Sequence, residues 1–398
     1  MTRRLKLMIP GPVEVLPEVL EPMARPMTPH YEREWAAFHA ETIAGARTVF
    51  RTEGDLFIAV GSGSAGLEAC LSQLAGNGGA TLIPTNGVFG KLLVRIARSY
   101  SDDVVEAEIP VDMPIRAEDL DRLLSANPGV RSVAVTHVET HSGLLNPIET
   151  YGPVCRDHKA LLMVDAVSSL AGARLEMDAW GIDLCVTASQ KAIGAPPGLC
   201  LVGVGPRAWP TLEKRAGGPG WYLNLNAWRE RAREWADWHP TLTTMAVNTF
   251  RALRVAIDLA VEEGMERRWA RHSAVSRLVR QAARGMGIQP LVPDDLAAPT
   301  VTTLILPNGC RSEAVRRFVA EAHGIMIAGA NVAGAERAVR IGHMGSGATL
   351  ENATLVLLAL EDYLRREGRT DGFGGCMQAV DPAVVERLTD YGPAAKPE

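Results

Sequence analysis

The chain has 398 residues, 47% of them hydrophobic and 22% charged, with a formal net charge of −5. This balance excludes wholesale disorder, which needs few apolar residues, and argues against nucleic-acid binding, which needs concentrated Lys and Arg. The length exceeds what one ordinary compact core organises, so a large domain with a smaller companion is expected.

The first ten residues, Met1 to Pro10, are basic, but their apolar run is too short for the core of a signal peptide and ends at a proline. No later run approaches the roughly 18 apolar residues of a membrane span. From Leu56 to Val204 short apolar runs alternate with amphipathic stretches: Leu56 to Val60, Thr81 to Pro84, Ser132 to Thr136, Leu161 to Asp165, Leu184 to Thr187 and Leu199 to Val204. Runs of this length, apolar on both faces, read as buried and mostly parallel strands with helices between them, Leu67 to Leu74 being one. A Gly/Pro-rich loop at Ala216 to Gly220 and a Trp-rich segment, Trp221 to Trp238, interrupt the pattern.

Phe250 to Glu263 and Trp269 to Met286 carry helical periodicity, and the second is placed to leave the large domain. Strand-like Thr300 to Leu306, a helix over Ser312 to Ala322, strand-like Ile325 to Ile327 and Arg337 to Ile341, and a helix over Leu350 to Arg366 complete an α+β unit. The expected division is 20–265 for a large α/β domain, 1–19 with 266–370 for a small one, and 371–398 for a tail to which the sequence assigns no role. Six scattered cysteines, with no CxxC pair and no His at metal spacing, point to a reducing compartment and no metal site. Ala394 to Glu398 carries no receptor-read address, so the cytoplasm is the default.

Three places stand out chemically. Gly61-Ser62-Gly63-Ser64-Ala65-Gly66 lies between a strand and a helix, where backbone N–H groups and the helix dipole favour a phosphate. It is neither a Walker loop nor a clean GxGxxG, and a tight turn alone would also explain it. Asp165 ends a buried strand, where open α/β sheets bind ligands, and a buried carboxylate there needs a cationic or protonated partner; a helix cap is the alternative. Lys191 sits between two apolar strands beside Gly194-Ala195-Pro196-Pro197-Gly198, and a desolvated lysine is a competent amine for an imine with a carbonyl cofactor. A phosphate cradle, an anionic partner and such a lysine, in this order on an α/β sheet, are the set that pyridoxal phosphate requires.

From about residue 5 to 365 the chain resembles the class V aminotransferases of fold type I, in particular the alanine/serine–glyoxylate and pyridoxamine–pyruvate group. The carriers are Pro10-Gly11-Pro12, Gly61-Ser62-Gly63 with Leu67-Glu68-Ala69, Asn86 to Gly90, Thr136 to Gly143, Val164 to Ser169, Ser189 to Ala192 with Ala195 to Gly198, and Arg340 to Gly345. The resemblance implies a mostly parallel central sheet with a smaller α+β C-terminal domain, and a homodimer with active sites at its interface. It implies that Lys191 holds the cofactor as an imine and shuttles the proton between substrate Cα and the cofactor's C4′. Asp165 would keep the pyridinium nitrogen protonated, Phe89 would stack on the ring, and Thr140 would bond near the ring oxygen. Ser62, Gly63, Ser64 and Gln190 would surround the phosphate, with Thr244 donated to it by the neighbouring subunit. Arg340 would clamp the substrate carboxylate, a task its fork of donors suits.

Phe89 as core, Thr140 and Gln190 as turn caps, and Arg340 as one half of an interdomain ion pair are the plainer readings. His141 and His343 are read as structural or supporting, because transamination needs no base beyond the lysine. The stretch Trp238 to Met245 lacks the aromatic-Thr-Pro pattern usual before the phosphate threonine. In the pyridoxamine–pyruvate enzymes a second arginine stands nine places before the one matching Arg340, and here that place is Asn331. His30 and Tyr31 stand where the family shapes donor access. The expected activity is ping-pong transfer from an alanine- or serine-like donor to glyoxylate or pyruvate; the alternatives are a pyridoxamine–pyruvate-type reaction, a lyase on the same fold, or a catalytically silent scaffold.

Overall fold

A computed structural model describes residues 4–214, 220–369 and 374–391. Most of the Gly/Pro-rich loop and the last residues of the chain lie outside that range. The large sheet has seven strands: β1 (Asp55–Val60), β2 (Ala80–Thr85), β3 (Val104–Glu108), β4 (Val130–Thr136), β5 (Leu161–Asp165), β6 (Leu184–Ala188) and β7 (Leu199–Val204). Their spatial order is β1-β7-β6-β5-β4-β2-β3, with β7 antiparallel to both neighbours and every other pairing parallel. Central strands β5, β6 and β7 are buried at every position, which is why they read as unbroken apolar runs. The one strand of this sheet not anticipated, β3, forms one of its two edges, where its sequence VVEAE needs no second apolar face.

The first helix on this sheet begins at Gly63 rather than near Leu67 and runs to Leu74. A Cβ at Gly63 would lie 2.9 Å from Val167 Cγ2, and one at Gly66 would lie 2.7 Å from Val186 Cγ1. Close packing on the sheet thus draws a glycine-rich segment into a helix despite its poor intrinsic propensity. Helix Glu32–Phe50, also unanticipated, packs on helix Val247–Glu263, with the Trp35 and Phe250 rings 5.1 Å apart.

A second, antiparallel sheet has β8 (Gln289–Pro290), β9 (Val301–Ile305), β10 (Ala328–Gly329) and β11 (Ala338–Gly342), in the order β8-β9-β11-β10. Lys6–Leu7 pairs in parallel with Ile325–Met326, bringing the N-terminus to this unit. A separate apolar core forms there from Met8, Leu278, Val315, Ile341, Val356 and Leu360. Helices Gly375–Gln378 and Pro382–Asp390 join it through Cys376, Val384 and Leu388, so the described part of the C-terminal segment is packed. Helix Met265–Gly285 bridges the two units, burying Met265 and Trp269 in the first core and Leu278 and Ala282 in the second. No described helix is long and apolar enough to cross a membrane.

Candidate active site

The carboxyl ends of β1, β2, β4, β5 and β6 lie along one edge of the large sheet, and each ends in or is followed by a candidate residue. Edges of this kind are where open α/β sheets hold ligands. Asp165 closes β5 and is buried. Its Oδ1 accepts the Val167 N–H at 2.9 Å, so it does cap the following turn, while Oδ2 accepts no hydrogen bond among the described residues. Burial pushes its carboxyl up to about 6; the Val167 N–H opposes this, Glu139 adds to it, and Lys191 opposes it.

Lys191 lies in the turn after β6, and its Nζ donates to the Pro10 carbonyl. Burial pulls its amine down to about 8; Asp165 resists that shift and Arg340 assists it. Lys191 and Asp165 therefore lie within each other's field, on adjacent strand ends. Gly11 backs the lysine: at φ +96° it takes a conformation that favours glycine, and a Cβ there would sit 2.6 Å from Lys191 Cδ.

Phe89 opens helix Val88–Arg98 after β2 and is half-buried. A residue given no role from the sequence, Glu139, sets its position. The fully buried Glu139 carboxylate accepts the N–H groups of Phe89 at 3.0 Å, Gly90 at 3.4 Å and His141 at 3.2 Å. Burial raises its pKa against these bonds and against Arg340. Gly87 admits it, since a Cβ there would meet Glu139 Cδ at 2.4 Å. The available signal was an acidic residue in a strand-end stretch otherwise rich in Thr, Ser and Gly.

Thr140 is buried and donates to Ser168 Oγ at 2.8 Å, and Thr300 donates to the Ser168 carbonyl at 2.7 Å. Ser62 and Ser64 are exposed at the start of helix Gly63–Leu74, whose N-cap makes no side-chain hydrogen bond. The buried amide oxygen of Gln190 has no partner among the described residues. Arg340, on β11, donates to the Gly329 carbonyl at 2.6 Å and to the Thr140 carbonyl at 3.4 Å. It forms no ion pair among the described residues, so the interdomain pair considered above is not made. Burial pulls its pKa down to about 10, against Glu139. Thr244 is exposed, so this chain does not bring it into the cluster. His343 is buried between Thr302 Oγ1 and the Pro299 carbonyl, each at 2.9 Å.

The family profile described as aminotransferase class-V matches residues 52–352. The chain belongs to the class V aminotransferases. It is 35% identical to an uncharacterized aminotransferase of Methanocaldococcus jannaschii, over 85% of this chain and 87% of that one. It is 32% identical to the alanine–glyoxylate aminotransferase of Oryctolagus cuniculus, over 90% of this chain and 92% of that one. The crystal structure of pyridoxamine–pyruvate aminotransferase from Mesorhizobium loti superposes with a TM-score of 0.91 at 30% identity, covering 97% of this chain and 98% of that one. Class V aminotransferases of fold type I depend on pyridoxal phosphate, and this chain is one of them.

The residues present fit that cofactor. A helix start without a side-chain cap suits its phosphate. The unpartnered Gln190 amide lies next to Lys191 in the chain, and its O and N ends are interchangeable in fitting a donor to an anion. A depressed lysine amine and a carboxylate with one free oxygen supply the remaining two contacts.

Proposed function

We propose that this aminotransferase moves an amino group from an alanine- or serine-like donor to glyoxylate or pyruvate, in two half-reactions that share one site. The observation that carries the reading is a buried carboxylate and a lysine amine at the carboxyl ends of adjacent parallel strands, with Arg340 held at the carbonyl of Thr140 and in no ion pair among the described residues. When bound, pyridoxal phosphate supplies an aldehyde for the amine and a protonated ring that accepts the electrons released at the substrate Cα. Lys191 would hold the aldehyde and, once displaced by the donor amine, would be the base that accepts the Cα proton, a role that its lowered amine pKa suits. Asp165 would hold the ring-nitrogen proton with the oxygen that Val167 leaves free. Phe89 would stack on the ring, Thr140 would serve the ring oxygen, and Ser62, Gly63, Ser64 and Gln190 would hold the phosphate. Arg340 clamps the substrate carboxylate.

The proposal extends to a homodimer in which Thr244, exposed on one chain, reaches the phosphate of its partner. It places 20–265 in a large domain, and 1–19 with 266–370 in a small one, which the separate second core supports. It also places the enzyme in the cytoplasm, supported by six cysteines that are all free thiols. A pyridoxamine–pyruvate-type reaction is the weaker reading, because Asn331 stands where that group has its second arginine. The test is to incubate the cofactor-loaded protein with single amino donors and follow conversion to the amino form by absorbance. Alanine or serine should convert it, and glyoxylate or pyruvate should restore it; conversion by neither amino acid, with transfer from pyridoxamine to pyruvate by the cofactor-free protein, would overturn the donor assignment.

A further inference from the structure

His141 lies between two groups of the site. Its ring centroid is 5.8 Å from that of Phe89, with the planes tilted by 34°. Arg340 is near enough to depress its ionisation, and burial followed by that guanidinium pulls the imidazole down to about 4. The ring is therefore uncharged at neutral pH, and the main chain fixes its tautomer. The Asn331 N–H donates to Nδ1 at 2.9 Å, so the ring proton sits on Nε2. Nε2 has no hydrogen-bond partner among the described residues.

The segment around it is held from several sides. The His141 N–H donates to Glu139 Oε1 at 3.2 Å, its carbonyl accepts Thr303 Oγ1 at 3.0 Å, and Arg340 donates to the preceding carbonyl at 3.4 Å. A donor fixed this firmly needs no reorganisation when a substrate arrives. The contact to Nδ1 comes from Asn331, the position that carries no arginine in this chain. Arg340 is the permanent cation whose charge reaches His141, and the imidazole beside it is an uncharged donor.

We propose that His141 is a specificity-determining residue of the substrate subsite: its Nε2–H is a second, uncharged contact beside the Arg340 clamp, so the subsite takes amino and 2-oxo acids carrying a single carboxylate. The inference rests on the reading of Arg340 as the clamp. A second carboxylate on the substrate meets an imidazole that offers no charge, with the Glu139 carboxylate behind it. A substitution that supplies a permanent cation removes this discrimination.

The experiment compares half-reactions of the cofactor-loaded enzyme with alanine, serine, aspartate and glutamate, one donor at a time. In the wild type, kcat/KM for alanine and serine exceeds that for aspartate and glutamate. In His141→Arg this ratio should fall by about ten- to hundredfold, the weight of one charge-assisted contact, mainly through a lower KM for the dicarboxylates. If that variant does not retain cofactor, His141→Lys makes the same comparison. An equal loss for all four donors, or an unmoved ratio, would mean that His141 only pins the Asn331 loop and would overturn the proposal. Arg340→Gln is measured in parallel. Undiminished use of alanine and serine by that variant would overturn the clamp itself, a failure separate from that of His141.

Discussion

Asp165→Asn should move stability and activity in opposite directions. The folded chain raises this carboxyl from 3.8 to about 6, chiefly by burial. A raised acid pKa means that the ionised form is penalised in the fold. The penalty is absent below the ordinary value, grows through the interval, and is complete above the folded value. At about 1.4 kcal/mol per unit, the cofactor-free protein forgoes on the order of 3 kcal/mol at neutral pH. Asparagine keeps the shape and the bond from the Val167 N–H but cannot ionise. Cofactor-free Asp165→Asn should therefore be up to about 3 kcal/mol more stable than wild type at neutral pH, with the gain vanishing below about pH 4. Turnover should fall at least about a hundredfold, because a neutral amide cannot sustain the ring-nitrogen proton. Urea unfolding across pH and steady-state rates measure both. A variant that is less stable at neutral pH, or whose stability difference ignores pH, would refute the assignment of a penalised carboxylate.

Other consequences follow from the same structure. Glu263 binds Arg268 at 2.7 Å and Arg271 at 2.6 Å, and those buried guanidiniums hold the Ala192 carbonyl beside Lys191 and the Gly345 and Ala348 carbonyls beyond β11. Glu263→Gln leaves both cations uncompensated and should destabilise the fold by about 3 kcal/mol in chemical unfolding. Cofactor loading needs Lys191 without its proton, so its rate should climb as pH rises toward about 8 and level off above it, in stopped-flow absorbance. Gly11→Ala drives a methyl group into the Lys191 side chain. It should weaken cofactor retention, measured by dialysis against free cofactor, more than it lowers the melting temperature.

The buried strands were legible because β5, β6 and β7 are covered on both faces and so spell unbroken apolar runs. Edge strand β3 was not, since a half-exposed edge carries polar residues that mimic a loop. The start of helix Gly63–Leu74 was placed late because glycine's local preference argues for a turn, and only contact with Val167 and Val186 reverses it. Lys191 and Asp165 were readable as charges in improbable apolar settings. Glu139 was hidden because its work is to accept three main-chain N–H groups brought together by tertiary structure. The Arg268–Glu263–Arg271 cluster was hidden in the same way, since its residues, at the end of one helix and in the first turns of the next, look like ordinary charged faces.

The most direct test of the account is to reduce the cofactor-loaded enzyme with borohydride, digest it, and locate the added mass by peptide sequencing. The label should fall on Lys191, and it should be lost together with turnover in Lys191→Ala. A label on a different lysine, or undiminished turnover in that variant, would contradict it.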